Sequence, residues 1–511
     1  MKKRFLRLLC LLAALSLIPF AAACGAEDES SAEQSEASEI AAESSEPEYE
    51  LFSNLPDKKF GGETVTFLVE GDYMTTYASI EVMPQESSYS ALKDAIQTRN
   101  DLVEEQFEVE IAEVRTEGYG DMINKLRDNA MSGLSVYDIV MPYMGDAAKF
   151  AQEGNLIDLQ TLDNIHLSMD YYDQGSVEGL SINNKNYFVT GDLSLLCYDV
   201  THAVVFNKDT VTDHGLENPY ELVRTKQWTI DKLWEMAKKI TADTDGEPGM
   251  GHMDTYGFIV NKNFVSSMFI GSGERFSKKD ENDEPVLSVY SQQAVRVFNK
   301  IFDLVNDETA TGQIDNTTDG FGRSAQAAGK NIWDAARDAT ANKRTLFHSV
   351  SLSGILSLGE YDCNFGVLPV PMFSADQDRY YCRVSTLYAS CAAIPINARD
   401  AEMSSIIMDA MFQASTKTVK SAYIDVIMKE RKIRDNDSED MLDIIFDSRV
   451  YDFGSVFNWG GTSEFDTASI TGFMNDIAFS GTNTFVSRWD EIGSAVQSAM
   501  EDTIAAYRRN D

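Results

Sequence analysis

The chain has 511 residues, and its 82 acidic residues against 43 basic ones give a formal net charge of −39 at pH 7. This excess of acid excludes nucleic acid and anionic lipid surfaces as partners, because both are bound by basic surfaces. The length exceeds what one simple core usually holds and therefore predicts two lobes or domains.

The N-terminus has the pattern of a secretion signal. Four of its first seven residues are cations, and residues 8–20 form an apolar run that is too short for a permanent membrane span. The run ends in three alanines and Cys24, which resembles a bacterial lipobox, although Ala21 stands where Leu is usual. In such signals the cysteine receives a diacylglycerol and becomes the new N-terminus. We therefore expect a signal peptide at 1–23 and lipidation of Cys24; an ordinary secretory signal is the alternative.

An acidic linker follows at residues 24–50. Residues 25–50 contain ten acids and no Lys or Arg. Such a composition cannot bury enough apolar surface to offset chain entropy, so we expect disorder. Like charges extend such a chain, which makes it a tether between anchor and globule. An acidic binding tail is the alternative function.

The remaining chain alternates between strand and helix patterns. The first block predicts strands at 63–70, 109–114 and 137–143, and helices at 91–107, 122–131 and 147–152. The second predicts a strand from Thr201, a helix at 230–240 capped by Thr229, a strand at 256–260 and a helix at 292–305. The third predicts strands at 365–371 and 382–395, then helices at 401–414, 417–429, 439–446 and 489–507. Asn436 and Glu439 have capping-box spacing. This alternation predicts an α/β fold with parallel sheets.

The cysteines beyond Cys10 and Cys24 show no CxxC spacing. They are Cys197, Cys363, Cys382 and Cys391. Buried free thiols are expected for such isolated residues in apolar surroundings. A Cys363–Cys382 disulfide stays open, because sequence alone does not establish pairing.

Catalytic and metal-binding motifs are absent from the sequence. It contains no GxSxG, no HExxH and no phosphate-binding glycine loop, and its histidines are scattered: His166, His202, His214, His252 and His348. Residues 241–246 resemble the front of a calcium loop, but Thr241 and His252 stand where the first and twelfth ligands belong. We predict no metal, no cofactor and no catalytic residue.

Several stretches resemble one protein family. They are VVFNKDTVTDHGLENPYELVRTKQWTIDKLWEMAKKIT at 204–241, FGVLPVP from Phe365, CAAIPIN from Cys391, the helix that opens at Asp400, and the Gly191-Asp192 pair. In this order, and with the lipoprotein-like start, they resemble the bacterial carbohydrate-type extracellular solute-binding proteins of ABC importers, the relatives of maltose-binding protein. The resemblance covers nearly everything after the linker.

The resemblance implies a two-lobed α/β fold of the periplasmic-binding-protein type (type II). Crossover hinge strands join the lobes, and the ligand binds in the cleft between them. We expect the N-terminal lobe to comprise residues 51–200 and 350–415, and the C-terminal lobe to comprise residues 201–349 and 416–511.

Candidate ligand-binding residues come from loops after strand ends, where open α/β folds bind ligands. Sugar recognition needs aromatic faces against the ring and polar groups for the hydroxyls. Loops of the first block supply Glu70, Asp72, Tyr73, Tyr143 and Asp146, and the crossover region supplies Asp192, Tyr198 and Asp199.

The resemblance adds residues from the rest of the chain. They are Asn263, Phe264, Ser349, Ser351 and Trp459. Trp459 lies among Gly and Asn residues and matches a cleft aromatic of maltose-binding relatives, so it is the strongest candidate; a tryptophan packed in the core is the alternative. Arg383 could bond an acidic sugar or pair with a carboxylate of the protein.

The sequence therefore predicts a monomeric solute-binding protein. It captures a small solute, expected to be a mono- or oligosaccharide, and delivers it to the permease subunits of an ABC transporter. A lipid anchor holds it at the extracellular face of a bacterial cell membrane, which is the periplasmic side in a Gram-negative cell. A lipid-anchored glycan-degrading enzyme and a two-lobed sensory receptor are the alternatives.

Overall fold

The computed structural model describes residues 50–71, 77–86, 89–118, 120–424 and 435–509. The predicted signal peptide, Cys24, the acidic linker up to residue 49, Asp72, Tyr73 and the end of the predicted helix at 417–429 lie outside the described residues. In the described part of the chain, no helix has the length and apolar character needed to cross a membrane.

The described residues form twelve strands. They are β1 (Glu63–Val69), β2 (Val109–Arg115), β3 (Ile139–Met141), β4 (His202–Asn207), β5 (Tyr256–Val260), β6 (Ser277–Lys279), β7 (Pro285–Leu287), β8 (Thr311–Gln313), β9 (Thr345–Ser351), β10 (Phe365–Leu368), β11 (Cys382–Arg383) and β12 (Arg449–Val450).

The same residues form eighteen α-helices. They are α1 (Ser90–Phe107), α2 (Asp121–Ser132), α3 (Met144–Gln152), α4 (Gln174–Leu180), α5 (Leu195–Asp199), α6 (Lys208–Asp213), α7 (Pro219–Arg224), α8 (Ile230–Lys238), α9 (Phe264–Gly271), α10 (Gln292–Val305), α11 (Gly320–Ala327), α12 (Ile332–Ala341), α13 (Leu352–Leu358), α14 (Ala401–Ser415), α15 (Asn436–Asp447), α16 (Phe453–Phe457), α17 (Gly472–Phe479) and α18 (Phe485–Arg509).

The first lobe is built on a parallel sheet with the order β2-β1-β3. The sequence of β1, ETVTFLV, favours a strand because it is rich in β-branched and aromatic residues. Its last three residues are fully buried, as expected for a strand that is covered on both faces. Residues 389–395 add antiparallel bridges to this sheet, including Val140–Ala393 and Tyr143–Ser390, and α1 packs against α14 beside it.

The second lobe is built on a mixed sheet with the order β10-β4-β9-β5-β8. Strand β5 runs parallel to β8 and β9, while β4 runs antiparallel to β9 and β10. The carboxyl ends of β5, β8 and β9 therefore lie at one edge, together with the beginning of β4. Helix α8 lies close against β5 at Gly257, where a Cβ atom would stand only 2.0 Å from the Ala237 carbonyl oxygen. Glycine is required there for the two backbones to approach.

One boundary between the lobes lies at a different residue from the one predicted from the sequence. The sequence placed residues 350–415 in the first lobe, yet β10 pairs with β4 in the second sheet. The chain therefore returns to the first lobe only after Leu368, because the buried strand at 365–368 completes the second sheet. Helix α18, predicted to lie in the second lobe, contacts both α3 of the first lobe and α17, so it spans the two.

Most predicted elements lie where the sequence placed them. Strand β5 and helix α10 match the predicted bounds, and Thr229 caps α8 by accepting the Lys232 backbone N–H. The capping box at Asn436 is wrong: the cap is Asp435, whose carboxylate accepts the Ser438 N–H. The predicted strand at 382–395 is regular only over β11 and otherwise makes isolated bridges.

The cysteines of the described chain are free thiols. Cys197, Cys382 and Cys391 are buried, and Cys363 is partly exposed. The Cys363–Cys382 disulfide, which the sequence left open, is not formed in this structure.

Candidate functional site

A cavity of about 500 Å³ opens between the two lobes and is the candidate site. Its walls come from both sheets: Tyr77 follows β1, and Leu387 and Tyr388 precede the segment that bridges to the first sheet. The second lobe supplies the edge of its sheet and the helices α12 and α13. A cleft lined from both lobes is the place where a bound solute contacts both at once.

Polar groups reach the cavity because strand ends converge there. Asn261 follows β5 directly, and Asp315 lies two residues after β8. Ser349 and Ser351 belong to the end of β9. The backbone N–H and side-chain amide of Asn261 both donate to the Ser349 hydroxyl at 3.1 Å, which fixes the two side chains together. This edge is where open α/β sheets place their ligands.

Aromatic rings form another part of the wall. Tyr77 and Tyr388 stack with their centroids 4.3 Å apart and their planes 10° apart, and Tyr143 packs edge-on against Tyr388 at 5.6 Å. Trp333 and Phe465 also line the cavity and are 42% and 58% exposed, respectively. Their exposed ring surface in the wall of one cavity is available for contact with a ligand.

A buried ion pair lies directly behind the cavity. Glu464 lines the cavity, and its carboxylate accepts hydrogen bonds from the guanidinium of the fully buried Arg383 and, at 3.1 Å, from the Asn263 amide. The Ser385 hydroxyl donates to the same carboxylate at 3.4 Å. These donors hold the Glu464 carboxylate in a fixed position.

Titratable groups in the wall are shifted by burial. Burial lowers the pKa of both His202 and His348 to about 3, so both rings are neutral at neutral pH. Burial raises the pKa of Asp315 to about 6, although its oxygens accept the Lys262 backbone N–H at 2.9 and 3.1 Å. A neutral imidazole can donate to or accept from a hydroxyl group of a ligand, and an ionised carboxylate can accept from one.

Some predicted residues meet in this region. Asn263, Ser349 and Ser351 line the main cavity. Tyr143 and Asp146 line a smaller cavity of about 60 Å³, whose wall shares Leu387 and Glu464 with the main one.

Other predicted residues lie elsewhere and are buried. Glu70 bonds Thr116, Asp192 bonds Tyr198 and Lys420, Asp199 accepts from the Tyr423 hydroxyl, and Phe264 is enclosed in the core. The predicted residues among these, which line neither cavity of the cleft, are Glu70, Asp192, Tyr198, Asp199 and Phe264. They are buried in the interior of the protein instead.

Trp459 is not at the cleft surface. Only 2% of the residue is exposed, its indole N–H donates to the Thr503 hydroxyl at 2.9 Å, and its ring stacks on Phe457. This position matches the core alternative, not a stacking platform. Arg383 was expected either to bond an acidic sugar or to pair with a carboxylate of the protein. In the structure it forms an ion pair with Glu464.

Several residues of the cavity wall were not predicted from the sequence. They are Tyr77, His202, Asn261, Asp315, Trp333, Arg337, His348, Tyr388, Glu464 and Phe465. The strand-end rule that selected Tyr143 would also have selected Asn261 and Asp315. The aromatic residues carry no such signal, because only the tertiary fold decides that they stay exposed.

The acidic loop after α8 is closed by hydrogen bonds. Carboxylate oxygens of Asp243, Asp245 and Asp254 lie within 4.8 Å of one another. Asp254 is buried and accepts the backbone N–H groups of Thr244 at 2.7 Å and Gly251 at 2.6 Å. These bonds give the buried carboxylate a structural role in closing the loop.

Asp199 is expected to make folding stability depend on pH. Burial raises the pKa of Asp199 to about 7 from an ordinary 3.8, so the folded chain holds this proton more tightly than the unfolded chain. Its stabilising contribution is complete below about pH 4 and is lost as pH rises to about 7, by at most about 4 kcal/mol. Urea unfolding of the wild type and Asp199→Asn at several pH values should therefore show the variant gaining relative stability over this window.

Tyr423→Phe provides the matched control for Asp199. The Tyr423 hydroxyl donates to the Asp199 carboxylate and lowers its pKa, so its removal should move the pH transition upward. A stability difference between wild type and Asp199→Asn that stays constant from pH 4 to pH 7 would disprove the assignment.

The comparisons with known proteins agree with this architecture. A family model described as bacterial extracellular solute-binding protein matches residues 84–378. No curated protein sequence matches the chain.

Three solved structures illustrate the similarity of fold. UspC from Mycobacterium tuberculosis is 15% identical, with 85% of this chain and 100% of that one covered and a TM-score of 0.56. UgpB from Mycobacterium tuberculosis, solved with glycerophosphocholine, is 14% identical over 87% and 100% of the two chains, with a TM-score of 0.54. The maltose-binding periplasmic protein MalE from Listeria monocytogenes, solved with maltose, is 14% identical over 87% and 98%, with a TM-score of 0.52. At these identities the likeness concerns the fold alone.

Proposed function

The chain belongs to the bacterial extracellular solute-binding protein family, and we propose that it binds a neutral sugar in the interlobe cleft and delivers it to the permease of an ABC importer. The observation that carries this proposal is the composition of the cleft wall. Four aromatic side chains, Tyr77, Trp333, Tyr388 and Phe465, stand beside amides, hydroxyls and carboxylates. Aromatic faces and convergent hydrogen-bonding groups are what a saccharide ring needs.

The charges of the wall favour an uncharged ligand. Asp315, Asp334 and Glu464 face one guanidinium, that of Arg337, which already pairs with Asp334. An anionic solute would meet more carboxylates than cations and would be repelled.

A binding role is favoured over a glycan-degrading one. Each cleft carboxylate is occupied by donors of the protein: Glu464 by Arg383, Asp315 by the Lys262 backbone and Asp334 by Arg337. Glycoside hydrolysis needs two carboxyl groups free to exchange a proton or attack the sugar. We therefore propose that the protein is not an enzyme.

A thermal-shift panel tests the proposal. We expect a neutral mono- or oligosaccharide to raise the melting temperature, because a ligand at a hundred times its Kd stabilises the folded state by about 2.7 kcal/mol. Amino acids and sugar phosphates serve as charged controls. If only charged solutes raised the melting temperature, the proposed ligand class would be wrong.

We also propose that the protein is a monomer anchored outside the cell through Cys24. The small residues before Cys24 and the acidic stretch after it support this arrangement. Cys24→Ala should leave the precursor uncleaved or release the protein into the medium, whereas the wild type should stay in the membrane fraction. Fractionation with N-terminal sequencing checks this; wild-type protein secreted freely with Gly25 or a later residue first would refute the anchor.

A further inference from the structure

A second groove on the protein is lined by more cations than carboxylates. It has a volume of about 340 Å³ and lies between α4, β6, β12 and the start of α16. Its wall contains five cations, Arg275, Lys278, Lys279, Arg379 and Arg449, but only two carboxylates, Glu178 and Asp452. The chain as a whole has 82 acids and 43 bases, so this groove reverses its overall balance. It shares no wall residue with the cleft.

Two of the guanidinium groups rest on an aromatic ring instead of a carboxylate. The Cζ atoms of Arg275 and Arg379 lie 4.5 and 5.0 Å from the centroid of Tyr381. Neither side chain forms an ion pair with a carboxylate among the described residues, and Arg275 donates to the backbone oxygen of Glu274 at 2.7 Å. A guanidinium held against a ring keeps the donors at its edge available for an oxyanion.

The buried base of the groove contains unused donors. Arg449 pairs with Asp173 through one nitrogen at 2.6 Å, while its Nε and Nη1 atoms are buried without a hydrogen-bond partner in the described part of the chain. The Ser277 hydroxyl is also buried without a hydrogen-bond partner among the described residues, and only 4% of Ser277 is exposed. These atoms are enclosed by protein, so Arg449 contributes positive charge beneath the groove and no direct contact with a ligand.

The carboxylates of Asp452 and Glu274 attract Arg275, and that of Glu274 also attracts Lys278, so nearby acids offset part of the positive charge. Asp452 accepts the backbone N–H groups of Phe276 at 2.9 Å and Ser455 at 3.3 Å, and Asp283 pairs with Lys279. Exposed Glu178 is the other carboxylate of the wall. Arg275, Lys278 and Arg379 are left facing the groove without ion pairs among the described residues.

We propose that this groove binds a small phosphate-type oxyanion, independently of the sugar cleft. Arg275, Arg379 and Lys278 would contact its oxygens from the rim, and the charge of Arg449 would attract it from beneath. The ligand is small because the net charge of −39 repels a long polyanion, whereas a compact anion can enter the local positive groove.

Calorimetric titration with inorganic pyrophosphate at low ionic strength tests this assignment. We expect one pyrophosphate per chain, with binding that weakens as salt is added. Arg379→Gln and Lys278→Gln should each weaken it about tenfold, because each removes a charge-assisted contact. Both side chains are exposed, so the melting temperature without ligand should not change.

Lys330→Gln is the matched control, since Lys330 is exposed in the loop between α11 and α12, outside the groove. It should bind pyrophosphate like the wild type, and sugar binding should be unchanged in all three variants. The assignment is overturned if pyrophosphate does not saturate, if Arg379→Gln and Lys278→Gln bind like the wild type, or if Lys330→Gln weakens binding equally. If long-chain polyphosphate bound more tightly than pyrophosphate, per phosphate group, the assignment of a small ligand would be wrong.

Discussion

Arg383→Met is expected to lower the free energy of unfolding by about 3–5 kcal/mol, because it leaves the buried carboxylate of Glu464 without its cation. The side chains of both residues are enclosed, at 0% and 1% exposure. The neutral donors Asn263 and Ser385 remain, but they do not balance a charge in an interior of low dielectric. Urea unfolding followed by tryptophan fluorescence measures the loss.

Two variants separate this effect from a general loss of charge. Arg224 pairs with Glu221, Asp437 and Asp440 at the surface, and Arg224→Met should cost less than about 1 kcal/mol. The double variant Arg383→Met/Glu464→Leu should recover most of the stability, because no buried charge remains. A double variant as unstable as Arg383→Met alone would show that packing, and not charge, explains the loss.

Trp459→Ala is expected to cost about 3–5 kcal/mol of stability and to leave sugar affinity nearly unchanged. The reason is its position: the ring is buried beside Phe457, and the indole N–H bonds Thr503 of α18. Chemical unfolding and calorimetric titration of the same variant measure the two quantities.

Trp459→Phe is the control for the indole. It keeps most of the ring volume and loses the hydrogen bond to Thr503, so its cost should be smaller, at about 1–2 kcal/mol. If Trp459→Ala kept the stability of the wild type but bound sugar tenfold more weakly, Trp459 would be a ligand-binding residue instead.

Local patterns were sufficient to predict most elements of the fold. Strand β5 (YGFIV) and helix α10 match their predicted bounds, because hydrophobic period and flanking turns define both without reference to distant residues. The lipobox-like start and linker lie outside the described residues and stay predictions.

Pairing between distant segments was harder to predict. The FGVLPVP stretch was recognised as a strand, but nothing local reveals that β10 pairs with β4 rather than with the first sheet. A buried apolar strand fits either sheet equally well, so partner choice depends on the whole chain. This is why the predicted boundary at residue 350 was too early.

The site illustrates the same division between local and distant information. Asn263, Ser349 and Ser351 were predicted and line the cleft. Trp459 was misjudged because its Gly-rich and Asn-rich surroundings suggested an open loop, whereas α18 covers it with Thr503. Trp333 lies on the short helix α12, where its sequence context does not distinguish a core residue from an exposed one.

The most direct test of a sugar site in the cleft is the affinity of Trp333→Ala for the saccharide that gives the largest thermal shift. Trp333 lines the cleft and is 42% exposed, so truncation should weaken binding by about tenfold to a hundredfold, equivalent to about 1–3 kcal/mol, with little change in melting temperature. Trp234→Ala is the control, because Trp234 lies on α8 and bonds Asp307 outside the cleft; its affinity should equal that of the wild type. Wild-type affinity in Trp333→Ala, or an equal loss in Trp234→Ala, would contradict the account.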